Sequence, residues 1–241
     1  MKSEVSMKYF LAPHVHGCID KGYLILMHLH RDEYFLLDPS ELKELAPYLS
    51  GDQNLIKLDV SDRSYKNLES VNSIIEHLLE NELITKDNIS GKPLISIYIP
   101  SPDSPFEQIE TSDDIKFSWH HILNILLSGI FSHFLLHFVP IRYVIKYLGT
   151  RPGNINKDPS PRLVKLAQIF SSLRPFLIRN RICLYDSISF YFFCRFYDER
   201  PILIVGVEAE PFSAHCWAQQ RGIILNDVPQ NIMRYTPIMT I

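Results

Sequence analysis

The stretch "IPSPDSPFEQIETSDD", residues 99–114, holds three prolines among acidic and hydroxyl residues, a composition that neither a helix nor a central strand sustains. It reads as a linker. The chain of 241 residues is thereby cut into two parts, and its 46% hydrophobic content gives each the means to build a core. Before the break, strand-like alternation precedes helical spacing; after it, helices precede strands. The expectation is an α+β protein with a module at 1–92, a linker at 93–114 and a larger domain at 115–241.

In the first part, apolar runs at Tyr23 to Leu29 and Tyr34 to Leu37 flank the turn "HRDE" and predict a hairpin. Asp38 and Ser40 bracket Pro39 as the start of a helix that ends near Ser50 and Gly51. A second helix is expected from Asn67 to about Leu83, because Leu68, Val71, Ile74, Ile75, Leu78 and Leu79 share one face. Strands followed by helices in so short a span describe a small winged-helix-like module.

The second part predicts a long helical stretch over 115–148, an interruption at "GTRPGNINKDPSP", a helix from Arg162 to about Leu177, another from Cys183, and strands in "PILIVGVEAE" and "RGIILND". Trp119 to Val139 is nearly long enough to span a bilayer. Its load of His120, His121, Asn124, Ser128, Ser132, His133 and His137 points instead to a buried core helix, so no membrane span is expected. With 24 Lys and Arg against 27 Asp and Glu, nothing in the charge calls for nucleic acid. "MKSEVSMKYF" lacks an apolar signal-peptide region, and the four cysteines lack ribbon spacing, so the expected compartment is the cytoplasm, with thiols reduced.

One of those cysteines sits where chemistry needs it. Cys183 opens an apolar helical run with Asn180 available as a cap, and the first turn of a helix favours the thiolate through the macrodipole and unpaired N–H groups. His215 and Asp227 follow in the order nucleophile, base, acid, the acid expected on the strand after the histidine. On a strand, Cys216 would face away from His215, and Cys194 lies about three turns, roughly 16 Å, along the helix from Cys183. Asp186 competes for the acid role, though a first-turn carboxylate also complements the helix dipole.

"CLYDS" at 183–187, "LIVGVEAEPFSAHCW" at 203–217 and "GIILND" at 222–227 resemble the leader peptidase of lasso-peptide biosynthesis, the B-type maturation protein, whose peptidase half is similar to transglutaminases and papain-like cysteine proteases. The resemblance implies that Cys183 is the nucleophile, His215 the base and Asp227 the orienting acid, with Ser187 and Trp217 lining the site. Gln219 departs from the glutamate usual there. It further implies an N-terminal leader-recognition module on which the leader of a ribosomally made precursor adds as a strand, here near Tyr34, Phe35, Leu36 and Leu37 and the helix carrying Ile75 and Leu79. The implied setting is bacterial and cytoplasmic. The implied partners are the precursor peptide and an asparagine-synthetase-like cyclase; the cyclase uses ATP, and this chain binds no cofactor.

Three other readings compete. The same three residues serve acyl transfer of the transglutaminase or amidase kind, and a non-catalytic scaffold could present peptide to a cyclase. In "HVHGC" and "HLH", His14, His16, Cys18, His28 and His30 have spacing legal for zinc. Alternation also describes the solvent face of a hairpin, so no metal is assigned. No phosphate-binding loop occurs in the sequence.

Overall fold

The computed structural model describes residues 8–52, 68–100, 104–105, 118–149, 155–177 and 183–241. These fall into two compact units, one of residues up to Ile97 with Ala209–Phe212, the other of Tyr98–Glu208 with Ser213–Ile241. Asn67, Asn180 and most of the expected linker lie outside the described residues.

In the first unit, strands β1 (Phe10–Leu11), β2 (Val15–Asp20), β3 (Tyr23–His28) and β4 (Glu33–Leu37) precede helices α1 (Pro39–Leu45) and α2 (Leu68–Glu80). β2, β3 and β4 form an antiparallel sheet in that order, and β5 (Ile84–Thr85) pairs with β1. The predicted hairpin is β3–β4; β2, on the other side of β3, has no counterpart in the prediction. Lys21 and Gly22 both take positive φ between β2 and β3, as a tight two-residue turn demands. Asp38 caps α1 by accepting from the Ser40 and Glu41 N–H groups at 2.7 and 2.9 Å, while Glu41 accepts from the Asp38 N–H at 2.9 Å. Leu24 and Leu26 of β3 pack with Leu42, Leu45, Val71, Ile75 and Leu78 in one core. Leu94 is buried in the same core, which is why this unit reaches beyond the expected boundary at residue 92.

The second unit holds β6 (Ser104–Pro105), α3 (Trp119–Phe138), α4 (Ile141–Gly149), α5 (Pro161–Leu173), α6 (Cys183–Arg195), β7 (Leu203–Glu208), β8 (Ser213–Gln220), β9 (Ile223–Ile224), α7 (Pro229–Ile232) and β10 (Thr236–Thr240). Its sheet runs β10-β7-β8-β9-β6, antiparallel except for the β6–β9 pair. Every residue of β7 is buried, as is every residue of α6 from Tyr185 to Cys194. A helix that is buried all round must have neighbours on all sides. α3, α5 and β8 supply them, with Phe170 of α5 meeting Phe190 and Phe193 at ring-centroid distances of 5.1 and 5.7 Å.

α3 departs from the expected buried helix. It meets α6 through a narrow stripe of Ile125, Ser128, Gly129 and Ser132, with Phe131 half exposed at the edge of the seam against Phe192, while Trp119, Leu123, Leu127, Ile130, Phe134 and Phe138 remain exposed. The small residues are the reason: they bring the backbones close and leave large side chains nothing to bury against on that seam. By length and composition α3 is long and apolar enough to cross a membrane. A Cβ at Gly129 would lie 2.8 Å from a Leu177 methyl and 2.9 Å from the Tyr185 hydroxyl. Gly129→Val is expected to lose about 1–3 kcal/mol in urea denaturation, whereas Leu123→Ser on the outer face should change stability by no more than about 0.5 kcal/mol.

Candidate active site

α6 opens on Cys183, which is only partly buried although the helix behind it is closed. β8 runs antiparallel to β7 with His215 opposite Gly206, and after β9 the chain turns through Asn226 and Asp227 into α7. Cys183, His215 and Asp227 thereby line one cavity of about 610 Å³, together with Ser171, Arg174 and Asp186. Asp227 lies in the loop before α7 rather than on a strand, because β9 ends at Ile224.

His215 Nε2 and Asp227 Oδ2 are 2.6 Å apart. With Nε2 so engaged, Nδ1 is the nitrogen left for the Cys183 thiol, to which His215 is hydrogen-bonded. The other Asp227 oxygen accepts from the Val228 N–H at 2.8 Å and from Asn231 Nδ2 at 2.7 Å, so the carboxylate is held at both ends. Burial alone would raise its pKa; the bond from His215 and those from Asn231 and Val228 outweigh it and hold the carboxyl below its ordinary value. Burial would also lower His215, but the bonds to Asp227 and Cys183 raise it to about 9. At Cys183, burial pushes the thiol up and is overcome by His215 and by the backbone N–H groups of Cys216 and Leu184, leaving a thiol below its ordinary value. Cys183, His215 and Asp227 are thus coupled, and their titration belongs to the set rather than to one member.

Asp186 is engaged elsewhere. Its carboxylate meets Arg174 Nε at 2.8 Å and accepts from Asn226 Nδ2 at 3.2 Å, and burial raises it to about 6 despite Arg174. Asn226 also accepts the Ala218 N–H at 2.7 Å and donates to Ser187 Oγ at 3.0 Å, tying the loop that carries Asp227 to both β8 and α6. Ser187 and Trp217 sit behind the cavity instead of lining it. Ser187 is fully buried and donates to the Cys216 carbonyl at 2.8 Å. Trp217 is buried two residues along β8, with its ring nearly parallel to that of His215 at 6.0 Å, and Tyr235 lies parallel to His215 at 5.1 Å. Gln219, in the place of the expected glutamate, accepts from Trp217 Nε1 at 3.0 Å and donates to the Pro100 carbonyl at 2.8 Å, work that a carboxylate could only half perform. Gly206 makes room for both residues: a Cβ there would meet the Trp217 ring at 2.8 Å and the Tyr235 Cβ at 2.9 Å.

Residues 132–240 match the family model of the transglutaminase-like superfamily. The C-terminal unit carries a transglutaminase-like domain. The match takes in Cys183, His215 and Asp227, and the superfamily includes both cysteine proteases and acyltransferases. No curated protein matches the chain, and no solved structure does.

Sequence reasoning did not assign Arg174, Asn226, Asn231 or Tyr235. Of these only Asn226 left a signal, as the residue beside Asp227 in "GIILND".

In the first unit, a smaller cavity of about 260 Å³ lies between β4 and α2, lined by Phe35, Leu36, Leu37, Glu41, Ser73, Ile74, His77 and Leu78. Of the residues expected at such a groove, Phe35, Leu36 and Leu37 line it; Tyr34 does not, Ile75 is buried in the core and Leu79 packs against it. The helix turns Ile74, His77 and Leu78 to the groove in place of Ile75 and Leu79.

The four thiols differ sharply. Burial raises Cys18 and Cys216 to about 12 and Cys194 well above its ordinary value, and Cys183 alone is lowered. Iodoacetamide at pH 6 is expected to label Cys183 at least about 100-fold faster than the other three, as read by peptide mass mapping. His215→Ala should slow labelling at Cys183 alone. Cys216 labelled first would remove Cys183 from the nucleophile's place.

Proposed function

We propose that the chain is a cysteine peptidase that removes the leader from a ribosomally made precursor, of the lasso-peptide kind, before an asparagine-synthetase-like cyclase acts on the core. The observation that carries the peptidase reading is the convergence of Cys183, His215 and Asp227 on one open cavity, with His215 bonded to Asp227 at 2.6 Å and to the thiol. The leader reading draws support from β4, an edge strand among the described residues, and from the cavity between it and α2, where Phe35, Leu36, Leu37, Ile74 and Leu78 stand beside Glu41, Ser73 and His77.

The Cys183 thiolate attacks the scissile carbonyl, and the charge that develops on its oxygen is met by N–H groups at the start of α6. As the C–N bond breaks, His215 gives its proton to the leaving amine, and an acyl-thioester remains on Cys183. His215 then takes a proton from water, whose oxygen attacks the thioester; as the C–S bond breaks the acid leaves, sulfur departs as the thiolate, and the proton stays on His215. Asp227 fixes the imidazole tautomer and balances its charge throughout. Holding the leader on the first unit raises the effective concentration of the cleavage site, so a cavity with few specific contacts can still be selective.

Incubating the full chain with precursor peptide should give two fragments by mass spectrometry, and Cys183→Ala should give none while still binding the leader. A covalent adduct with an added amine in place of fragments would assign the chain to acyl transfer. Asp227→Asn should fold and bind leader normally yet cut up to about 10⁴-fold more slowly. The rate should rise with pH as the thiolate forms and fall as pH climbs through about 9, where His215 loses the proton destined for the leaving amine. Ile74→Glu, which puts a charge in the groove, should weaken leader binding measured by fluorescence anisotropy and leave Cys183 alkylation unchanged; unaltered affinity would remove the groove from the leader site.

A further inference from the structure

Five residues of the N-terminal unit have zinc-compatible spacing, and the fold sorts them. His16 and Cys18 lie within β2, paired with Met27 and Ile25 of β3. His14 lies just before β2 and His28 ends β3, where the two strands part. Their Nε2 atoms are 3.0 Å apart, and a carboxylate oxygen of Glu82 completes a set of three ligand atoms all within 4.8 Å of one another. The His30 ring stacks on that of His14 at 4.5 Å.

Glu82 reaches this place by an unusual backbone. After α2 the Glu82 N–H bonds to the Leu79 carbonyl at 3.0 Å and the Leu83 N–H to the Leu78 carbonyl at 2.9 Å, the paired bonds of a Schellman helix end. That motif needs a left-handed residue at the position of Glu82 and normally takes glycine there; Glu82 adopts φ of 56° regardless. Glycine would spare the backbone this strain.

We propose that His14, His28 and Glu82 form a site for a divalent transition-metal ion, zinc by its ligand chemistry, which ties the parting ends of β2 and β3 to the C-terminus of α2. Two imidazoles and one carboxylate suit zinc and exclude the all-oxygen sites of calcium and magnesium. An ion at about 2.0–2.1 Å from each nitrogen needs them about 3.3 Å apart for a tetrahedral angle, so the rings part by a few tenths of an ångström. Three protein ligands leave the fourth position to water.

Without metal, His28 Nδ1 accepts the Arg31 N–H at 3.2 Å, so the His28 proton sits on Nε2 and is shared with His14. Metal binding moves that proton to Nδ1 and gives up the Arg31 contact in an exposed turn. The Arg31–Glu82 ion pair, at 3.7 Å between exposed side chains, is a weak competitor.

The test uses the full chain carrying Cys183→Ala, so that the thiol of the other unit takes no metal, after dialysis against a chelator. Zinc at about 100 times its dissociation constant should raise the melting temperature by roughly 5–10 °C, and cobalt should bind at one equivalent with the visible absorption of a tetrahedral ion. Glu82→Gly should melt no lower than its parent in chelator, since glycine suits the helix end, and should lose the zinc shift. His14→Gln should lose it as well, and Arg31→Ala should tighten binding. A parent chain whose melting zinc does not move, or either Glu82→Gly or His14→Gln retaining the full shift, overturns the site.

Discussion

The C-terminal unit is organised by one constraint: α6 is buried from Tyr185 to Cys194, so sheet and helices must wrap it completely. Its ends alone emerge, and at the N-terminal one stand Cys183 and the backbone N–H groups that a helix leaves unpaired. Closing the helix everywhere except at its ends creates, at the N-terminus, the one place where a sulfur is both accessible and electrostatically favoured. β8 lies against this helix, so a histidine on its cavity-facing side arrives beside the thiol without a dedicated loop.

The parts legible in the sequence were those whose chemistry is carried by residue type and local context. Cys183 at the head of an apolar helical run, His215 on an alternating strand and Asp227 beyond the next apolar run stood out for that reason. Asn231 and Arg174 did not, and Asn226 only by its place beside Asp227, because their work is to satisfy buried carboxylates, a need that exists only once the chain has folded. Asp186 shows the difference: a first-turn acid by sequence, it is in the fold a buried group bound to Arg174 and Asn226.

Misreadings of the helices share a cause. Hydrophobic spacing says that a helix has an apolar face but not which neighbour covers it. In α3 the apolar residues face outward and the serines and glycine make the contact, the reverse of the usual order. In α2 the apolar arc is broad enough to serve both core and groove, which is why Ile75 and Ile74, adjacent in sequence, have different surroundings. β10 pairs with β7 through "TPIMT", a segment too short and too proline-marked to announce itself as a strand.

Gly206 adds a constraint on how this domain can diverge. The space a side chain would need at that position is filled by the Trp217 ring and the Tyr235 Cβ, whose residues both stack beside His215. Positions 206 and 217 are therefore sterically coupled: a larger residue at the first becomes tolerable only with a smaller one at the second. Any lineage that exchanges them changes the aromatic bed under the imidazole at the same stroke, so drift in the core of this sheet is coupled to the tuning of its histidine.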